Sequence, residues 1–292
     1  MNQGSELILG TLLLPEKTPT QNTDRGISVW RQSSQWLCRR PSLIGLSSVL
    51  LLVLLWQLSG SRGWIDPLLL PPPGEVLRTA GELLASGYRQ TALWEHFLIS
   101  SARALSAFAV AIAVGIPLGL CMGMAPVLNA MLDPFVQFLR PLPKIALIPL
   151  VIVWFGIGEG SKFFLIFISS FLSIVVGAVA AVGSVSRDRI RVAQTLGATR
   201  RQIFLHVVLP NALPELFTGV RLSIGIGWTA LIAAEMIAAN SGLGWMVINA
   251  GTYLRTDIVL LGILLLGLTG YFFDWVLLRL QRRFAPWAGK TA

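Results

Sequence analysis

Several charged residues lie within long apolar stretches of this sequence, where a charge needs a partner, water or a bound ion. We single out Arg103, Arg140, Lys144, Arg221 and Glu235. A charged side chain in the hydrocarbon region of a bilayer is costly, so it faces the interior of a helix bundle, lines a water-filled path or extends to the interface. The basic residues among them favour binding of an anion.

The basic residues differ in their surroundings. Arg103 and Arg221 lie near the ends of predicted spans, which favours side chains that extend to the membrane surface. Arg140 and Lys144 lie in a segment interrupted by Pro134, Pro141, Pro143 and Pro149. Proline removes backbone hydrogen bonds, so this segment should line a cavity or an interface. Two interpretations stay open for Arg140 and Lys144: lining of an anion path, or extension to the inner interface.

Glu235 follows Arg221 by fourteen residues, which is roughly 20 Å along a helix. It precedes a Gly-rich turn at residues 240–245, after which an apolar stretch too short to cross a membrane should form a cap. Two roles are open for Glu235. It is either a hydrogen-bonding partner of that turn, which we favour, or a group that contacts a ligand.

The sequence has no arrangement typical of an enzyme. Residues 289–291 (GKT) match the end of a phosphate-binding P-loop, yet Phe284 stands where that motif requires glycine. We find neither a Ser-His-Asp arrangement, nor a metal-ligand cluster, nor paired carboxylates. We therefore predict that the chain is not an enzyme and binds no metal or cofactor of its own.

The apolar stretches are the elements that must position these charges. Of the 292 residues, 54% are hydrophobic, whereas soluble domains typically have roughly 45–50%. A spanning helix needs about 20 mainly apolar residues. We predict an all-α integral membrane protein with six transmembrane helices, at residues 43–58, 100–124, 134–157, 163–183, 211–238 and 257–278.

The distribution of Lys and Arg predicts the orientation. With a cytoplasmic N-terminus, fourteen of the 23 basic residues lie in cytoplasmic parts and five in outer loops. The positive-inside rule favours this topology, with both termini cytoplasmic. The net charge of +9 then reflects this orientation in the membrane. It should also attract anionic membrane lipid. Nucleic-acid binding is not expected, because the basic residues do not alternate with exposed aromatic residues.

We divide the chain into a cytoplasmic tail, residues 1–42, and a transmembrane domain, residues 43–292. In the tail, residues 27–40 place Trp30 and Trp36 among arginines. That composition suits an interfacial helix on the inner leaflet, or equally a disordered basic tail.

A polar segment at residues 187–209 separates two apolar stretches and predicts a helical hairpin. Gly197 can take the left-handed conformation that ends a first helix, and Thr199 can cap a second helix that runs until Pro210. An apolar face can be formed by Val192, Leu196, Ile203, Phe204 and Val207. Such a hairpin at a membrane surface indicates docking of a partner, and an amphipathic helix resting on lipid is the alternative.

The spacing of Arg191, Ala193, Gly197, Val207 and Leu209-Pro210 resembles the EAA loop of ABC importer permeases, which couples the permease to its ATPase subunit. Arg191 departs from the motif, because Glu is expected there. The resemblance assigns ATPase coupling to Arg191, Ala193, Gly197, Ala198, Phe204, Val207, Leu209 and Pro210.

Residues 67–287 are similar to the permeases of nitrate, sulfonate, taurine and bicarbonate importers, with motifs such as IALIPLVIVWFGIG and AAEMIAANSGLGWMVINA. The second motif, with YLRTDIVLLGILLLG after it, points to the aliphatic-sulfonate permeases. The resemblance implies the binding-protein-dependent ABC permease fold in the bacterial inner membrane. It also implies an aliphatic sulfonate or taurine as substrate, with nitrate or bicarbonate as alternatives.

The resemblance implies a set of partners as well. These are a second copy of this chain, two copies of an ATPase subunit that binds the ATP, and a periplasmic or lipid-tethered solute-binding protein. An ATPase-independent channel or scaffold is the alternative of a different class, and it leaves the hairpin unexplained. Trp154, Trp228 and Trp245 could shape a cavity for the carbon chain of an organic sulfonate, although we favour an interfacial aromatic belt.

Overall fold

The computed structural model describes residues 41–288, so the predicted tail helix at residues 27–40 lies outside the described residues. The regular elements described are helices. In chain order they are α1 (Pro41–Ser61), α2 (Pro73–Ser86), α3 (Leu93–Met124), α4 (Pro126–Leu139), a 3₁₀ turn (Lys144–Leu147), α5 (Ile148–Phe155), α6 (Glu159–Gly183), α7 (Arg187–Thr195), α8 (Arg200–Ile203), a π-helical turn (Phe204–Val208), α9 (Leu209–Ala238), α10 (Leu243–Thr252) and α11 (Thr256–Phe284).

The chain divides into two compact units between Trp56 and Gln57. Most of α1 belongs to the first unit, and all later helices belong to the second. In the second unit, α3, α6, the continuous stretch Arg200–Met236 and α11 are each long and apolar enough to cross a membrane. A fifth span results if the bent pair Pro126–Leu139 and Lys144–Phe155 is counted as one. The protein is therefore a multi-pass membrane protein.

The predicted span at residues 134–157 is sharply broken. Its two halves meet at an angle of 92°, and the first half begins at Pro126, eight residues before the predicted start. Pro141 and Pro143 lie at the bend, where they cannot donate backbone hydrogen bonds. The Nζ of Lys144 instead donates to the carbonyl oxygens of Leu139, Arg140 and Leu142, each at 3.0 Å.

Helices α6 and α9 cross in close contact at two glycines. A Cβ atom added to Gly177 would lie only 3.1 Å from the Cα of Gly219. Small residues at a crossing let helix backbones approach each other, which is how helices in membranes gain packing energy without a hydrophobic driving force. Helix α6 also packs along α3, so it lies between α3 and α9 in the bundle.

The short helices α2 and α10 pack against the first part of α11. The Oγ1 of Thr79 donates to Asp257 at 2.8 Å, and the Tyr88 hydroxyl donates to Asn249 at 2.9 Å. Burial is the main cause that raises the pKa of Tyr88, so its hydroxyl keeps the proton that it donates. The predicted cap after the Gly-rich turn is therefore a helix that is held in place by hydrogen bonds.

Candidate functional site

Arg103 is at the centre of a charge cluster that joins three helices. Its Nη1 lies 2.8 Å from Glu235 on α9, and its Nε lies 2.6 Å from Glu159 at the start of α6. Glu159 also accepts from Lys162 Nζ at 2.8 Å. The side chain of Arg103 is only 9% exposed. The prediction that Arg103 extends to the membrane surface is wrong, because two carboxylates hold its guanidinium inside the bundle.

Glu235 binds the Gly-rich turn, as its position in the sequence favours. Its Oε2 accepts from the backbone N–H of Gly244 at 2.9 Å, and Ser100 Oγ donates to the same carboxylate. Gly242 has a φ of +121°, and its N–H donates to His96 Nδ1 at 3.0 Å. Glu235 is completely buried. We refer to Arg103, Glu159, Lys162, Glu235 and Ser100 as the Arg103 cluster.

Arg221 is also paired. Its Nε and Nη2 donate to the two carboxylate oxygens of Asp274 on α11, both at 2.8 Å. This bidentate geometry satisfies both oxygens of Asp274, while the side chains of Arg221 and Asp274 stay 27% and 47% exposed. The interfacial position of Arg221 stays a prediction. The pair lies in a cavity of about 320 Å³ that is also lined by Trp228 and Phe273.

Two of the three tryptophans proposed for a substrate cavity, Trp154 and Trp228, have different surroundings. Trp228 is 8% exposed, and its Nε1 donates to the carbonyl oxygen of Leu266 at 3.2 Å. It therefore packs between α9 and α11 and does not belong to an interfacial belt. Trp154 at the end of α5 is 60% exposed and contacts the edge of Phe164.

The two basic residues of the broken span, Lys144 and Arg140, differ in their contacts. The ammonium of Lys144 is engaged by the three carbonyl oxygens at the bend. The side chain of Arg140 is exposed and forms no side-chain hydrogen bond or ion pair within residues 41–288. An anion that reaches this bend would thus meet the guanidinium of Arg140 first.

The structure agrees with the predicted helical hairpin from residue 187 through the cap of its second helix. Gly197 has a φ of +78°, which is the left-handed conformation expected at the end of α7. The N–H of Ala198 donates to Ala193 at 3.1 Å, which closes that turn. Thr199 Oγ1 accepts from the N–H of Gln202 and caps α8. Both the stop and the cap were predicted from the sequence.

The predicted end of the second helix at Pro210 is wrong. The helix continues through the π-helical turn Phe204–Val208 into α9. In this turn the N–H of Leu209 bonds to the carbonyl oxygen of Phe204, five residues earlier. Pro210 has no backbone N–H to donate to the preceding turn, and it lies where the π-helical turn meets α9.

The predicted apolar face of the hairpin is divided in two. Ile203 is buried, and Phe204 and Val207 pack with it against the membrane helices. Val192 and Leu196 are 59% and 82% exposed. The tip of the hairpin therefore presents apolar side chains to its surroundings. Arg191 is exposed and lies 3.5 Å from Asp188 on the same helix.

Residues 111–286 match the family model described as "binding-protein-dependent transport system inner membrane component". The chain belongs to this family. It is 41% identical over 263 residues to the taurine transport system permease protein TauC of Escherichia coli (strain K12), a match that covers 90% of this chain and 94% of TauC. It is 39% identical to the putative aliphatic sulfonates transport permease protein SsuC of the same organism, over 81% of this chain and 88% of SsuC.

A solved structure shows the same fold. It is an inward-facing conformation of the MetNI methionine ABC transporter, which matches with a TM-score of 0.56 and 20% identity over 68% of this chain and 99% of that one. The family consists of membrane components of transport systems. This permease is therefore not an enzyme, as the sequence predicted.

The sequence interpretation missed two acidic partners of Arg103 and Arg221. Glu159 precedes the predicted start of its span, and Asp274 lies within the predicted last span. Asp274 could have been found, because a lone acid in an apolar stretch requires a basic partner. His96 and Ser100 have no such signal, since their roles depend on a turn that is about 140 residues later in the chain.

Proposed function

We propose that this permease is the transmembrane subunit of an ATP-driven ABC importer for a small sulfonate, either taurine or an aliphatic sulfonate. The similarity to TauC across nine-tenths of the chain carries the proposal. Nitrate and bicarbonate are the alternative substrates, and the basic residues of the chain would suit any of these anions. The names of TauC and SsuC favour sulfonates.

The experiment is uptake by the chain reconstituted with its cognate ATPase and solute-binding protein. Taurine, ethanesulfonate, nitrate and bicarbonate are supplied separately, with and without ATP. We expect ATP-dependent uptake of at least one sulfonate and none of nitrate or bicarbonate. Uptake of nitrate or bicarbonate alone would overturn the proposed substrate class.

The 187–209 hairpin is proposed as the docking site of the ATPase. Its exposed tip residues Val192 and Leu196 offer an apolar contact, and Arg191 lies beside them. The ATP would be bound by two copies of the ATPase subunit, one under each copy of a permease homodimer. A periplasmic or lipid-tethered binding protein would deliver the substrate from the other side, with both termini and the hairpin in the cytoplasm of a six-span protomer.

The geometry of α9 supports transmission from this hairpin across the membrane. Helix α8, the π-helical turn and α9 form one continuous stretch, Arg200–Met236, of 37 residues. At 1.5 Å per residue this stretch is about 55 Å long, and Glu235 of the Arg103 cluster lies at its far end. Closure of the ATPase dimer would pull the hairpins together and shift the population from inward-open to outward-open packing.

Among the substrate-path candidates, Arg140 and Trp154 are the ones whose side chains stay exposed. Arg103, Arg221, Glu235 and Trp228 have partners within the bundle, so we propose that they hold the helices together. Lys144 supports the bend that presents Arg140. A channel or scaffold that works without an ATPase is the competing class, and a pull-down that recovers no nucleotide-binding chain would favour it.

A further inference from the structure

An apolar cavity of about 560 Å³ lies between the end of α3 and the base of the 187–209 hairpin. Its wall on α3 consists of Pro117, Leu120, Cys121 and Met124, which lie on one face because they are three or four residues apart. Phe204 closes the other side from the π-helical turn. Met124 is the last residue of α3, so the cavity lies at the end of this span.

Two arginines stand at this apolar cavity. Arg200 and Arg201 line it from α8 and are exposed. Neither side chain has a hydrogen bond or an ion pair with another residue in the described part of the chain. None of the described residues that line the cavity is acidic. The cavity therefore combines an uncompensated positive charge with an apolar wall.

We propose that this cavity binds an anionic phospholipid of the leaflet on the hairpin's side. Guanidinium groups bind phosphate through paired hydrogen bonds, and an acyl chain would lie along Leu120, Met124 and Phe204. The position at the end of a span places the headgroup at the interface and the chain in the hydrocarbon region. This inference requires only the membrane placement of the chain and is independent of the transported substrate.

Such a lipid would connect α3 to the base of the hairpin. Phe204 precedes the continuous run into α9, so an occupied cavity would favour the hairpin position seen here. The lipid would then affect coupling without contacting the ATPase or the substrate.

The test uses Cys121, which is exposed and lines the cavity. Cys38→Ser leaves it as the single thiol. The full chain is purified in a neutral detergent, and its alkylation by an uncharged maleimide is timed during titration with phosphatidylglycerol or phosphatidylcholine. We expect phosphatidylglycerol, but not phosphatidylcholine, to slow the reaction. One basic residue near an anionic headgroup is worth about fivefold in affinity, so Arg200→Gln with Arg201→Gln should require roughly 25-fold more lipid.

The matched control is Arg282→Gln with Arg283→Gln, which removes the same charge from the last turn of α11 and should keep normal protection. Equal protection by both lipids, or equal shifts in both double variants, would overturn the proposal. Protection of Cys121 by taurine or ethanesulfonate alone would overturn the proposal in favour of a substrate site. Protection by added ATPase in the absence of lipid would overturn it in favour of a protein interface. Native mass spectrometry of retained phosphatidylglycerol provides a second readout. If a double variant fails to fold, the corresponding single variants are used in its place.

Discussion

Arg103 and Glu235 form an ion pair of 2.8 Å between α3 and α9, in which the carboxylate is completely buried. The same guanidinium binds Glu159 at the start of α6, so one side chain ties three spans together. A buried charge that loses its partner is strongly destabilising. Removal of either partner should therefore destabilise the bundle.

We expect Arg103→Met to lower the free energy of unfolding by about 3–5 kcal/mol, because it leaves Glu235 buried without its cation. Unfolding in detergent, followed by tryptophan fluorescence, measures the change. Arg78→Met is the control, since Arg78 pairs with Glu82 on the exposed surface of α2 and should cost less than about 1 kcal/mol. Equal losses in the two variants would contradict the role assigned to the pair.

The left-handed Gly197 offers a test of the coupling role. A Cβ atom at this position would meet no other atom within 4 Å, so substitutions act through the backbone alone. Valine should strain the turn by roughly 1–2 kcal/mol and uncouple uptake from ATP hydrolysis, while the chain stays inserted. Asparagine tolerates this conformation and should keep uptake close to normal. The measurement is uptake together with co-purification of the ATPase, and normal uptake by Gly197→Val would exclude the coupling assignment.

We expect the two basic residues at the bend of the broken span, Arg140 and Lys144, to have different roles. Arg140→Met should reduce uptake while assembly and ATP hydrolysis persist, because the exposed guanidinium is removed and the hairpin is unchanged. Lys144→Met should instead lower the stability by about 1–3 kcal/mol, since carbonyl oxygens at the bend lose their donor. Uptake, ATPase activity and thermal unfolding are measured for each variant. If both single variants and the double variant transport at the normal rate, the anion path lies elsewhere.

The orientation can be tested at Ser86, which is exposed at the end of α2. We expect Ser86→Cys, in a chain without Cys38 and Cys121, to react with a membrane-impermeant maleimide from the outer side. The asymmetry of basic residues is the physical reason. A second cysteine at Thr195, on the hairpin, should react only from the inner side. The reverse pattern for the two positions would invert the topology.

The sequence alone predicted the local features because their causes are local. Apolar length predicted six spans, and among the described residues four helices, or five with the bent pair, are long and apolar enough to cross a membrane. Gly197 with Thr199 predicted the stop and the cap in the hairpin. The ends of spans were placed less well. Helix α3 begins at Leu93, before the predicted residue 100. The polar residues Glu95 and His96 lie in its first turn, so that turn does not belong to the apolar stretch from which the span was predicted.

The partners of the charged residues were decided only by the tertiary structure. Hydropathy shows that Arg103 and Arg221 lie within spans, but it does not show that Glu159, Glu235 and Asp274 lie within hydrogen-bond distance of them. The continuation through Pro210 is similar, because no local signal at the proline predicts that the helix runs through a π-helical turn into α9. Pairings between helices arise from packing across 50 to 140 residues, and no periodicity within one helix contains that information.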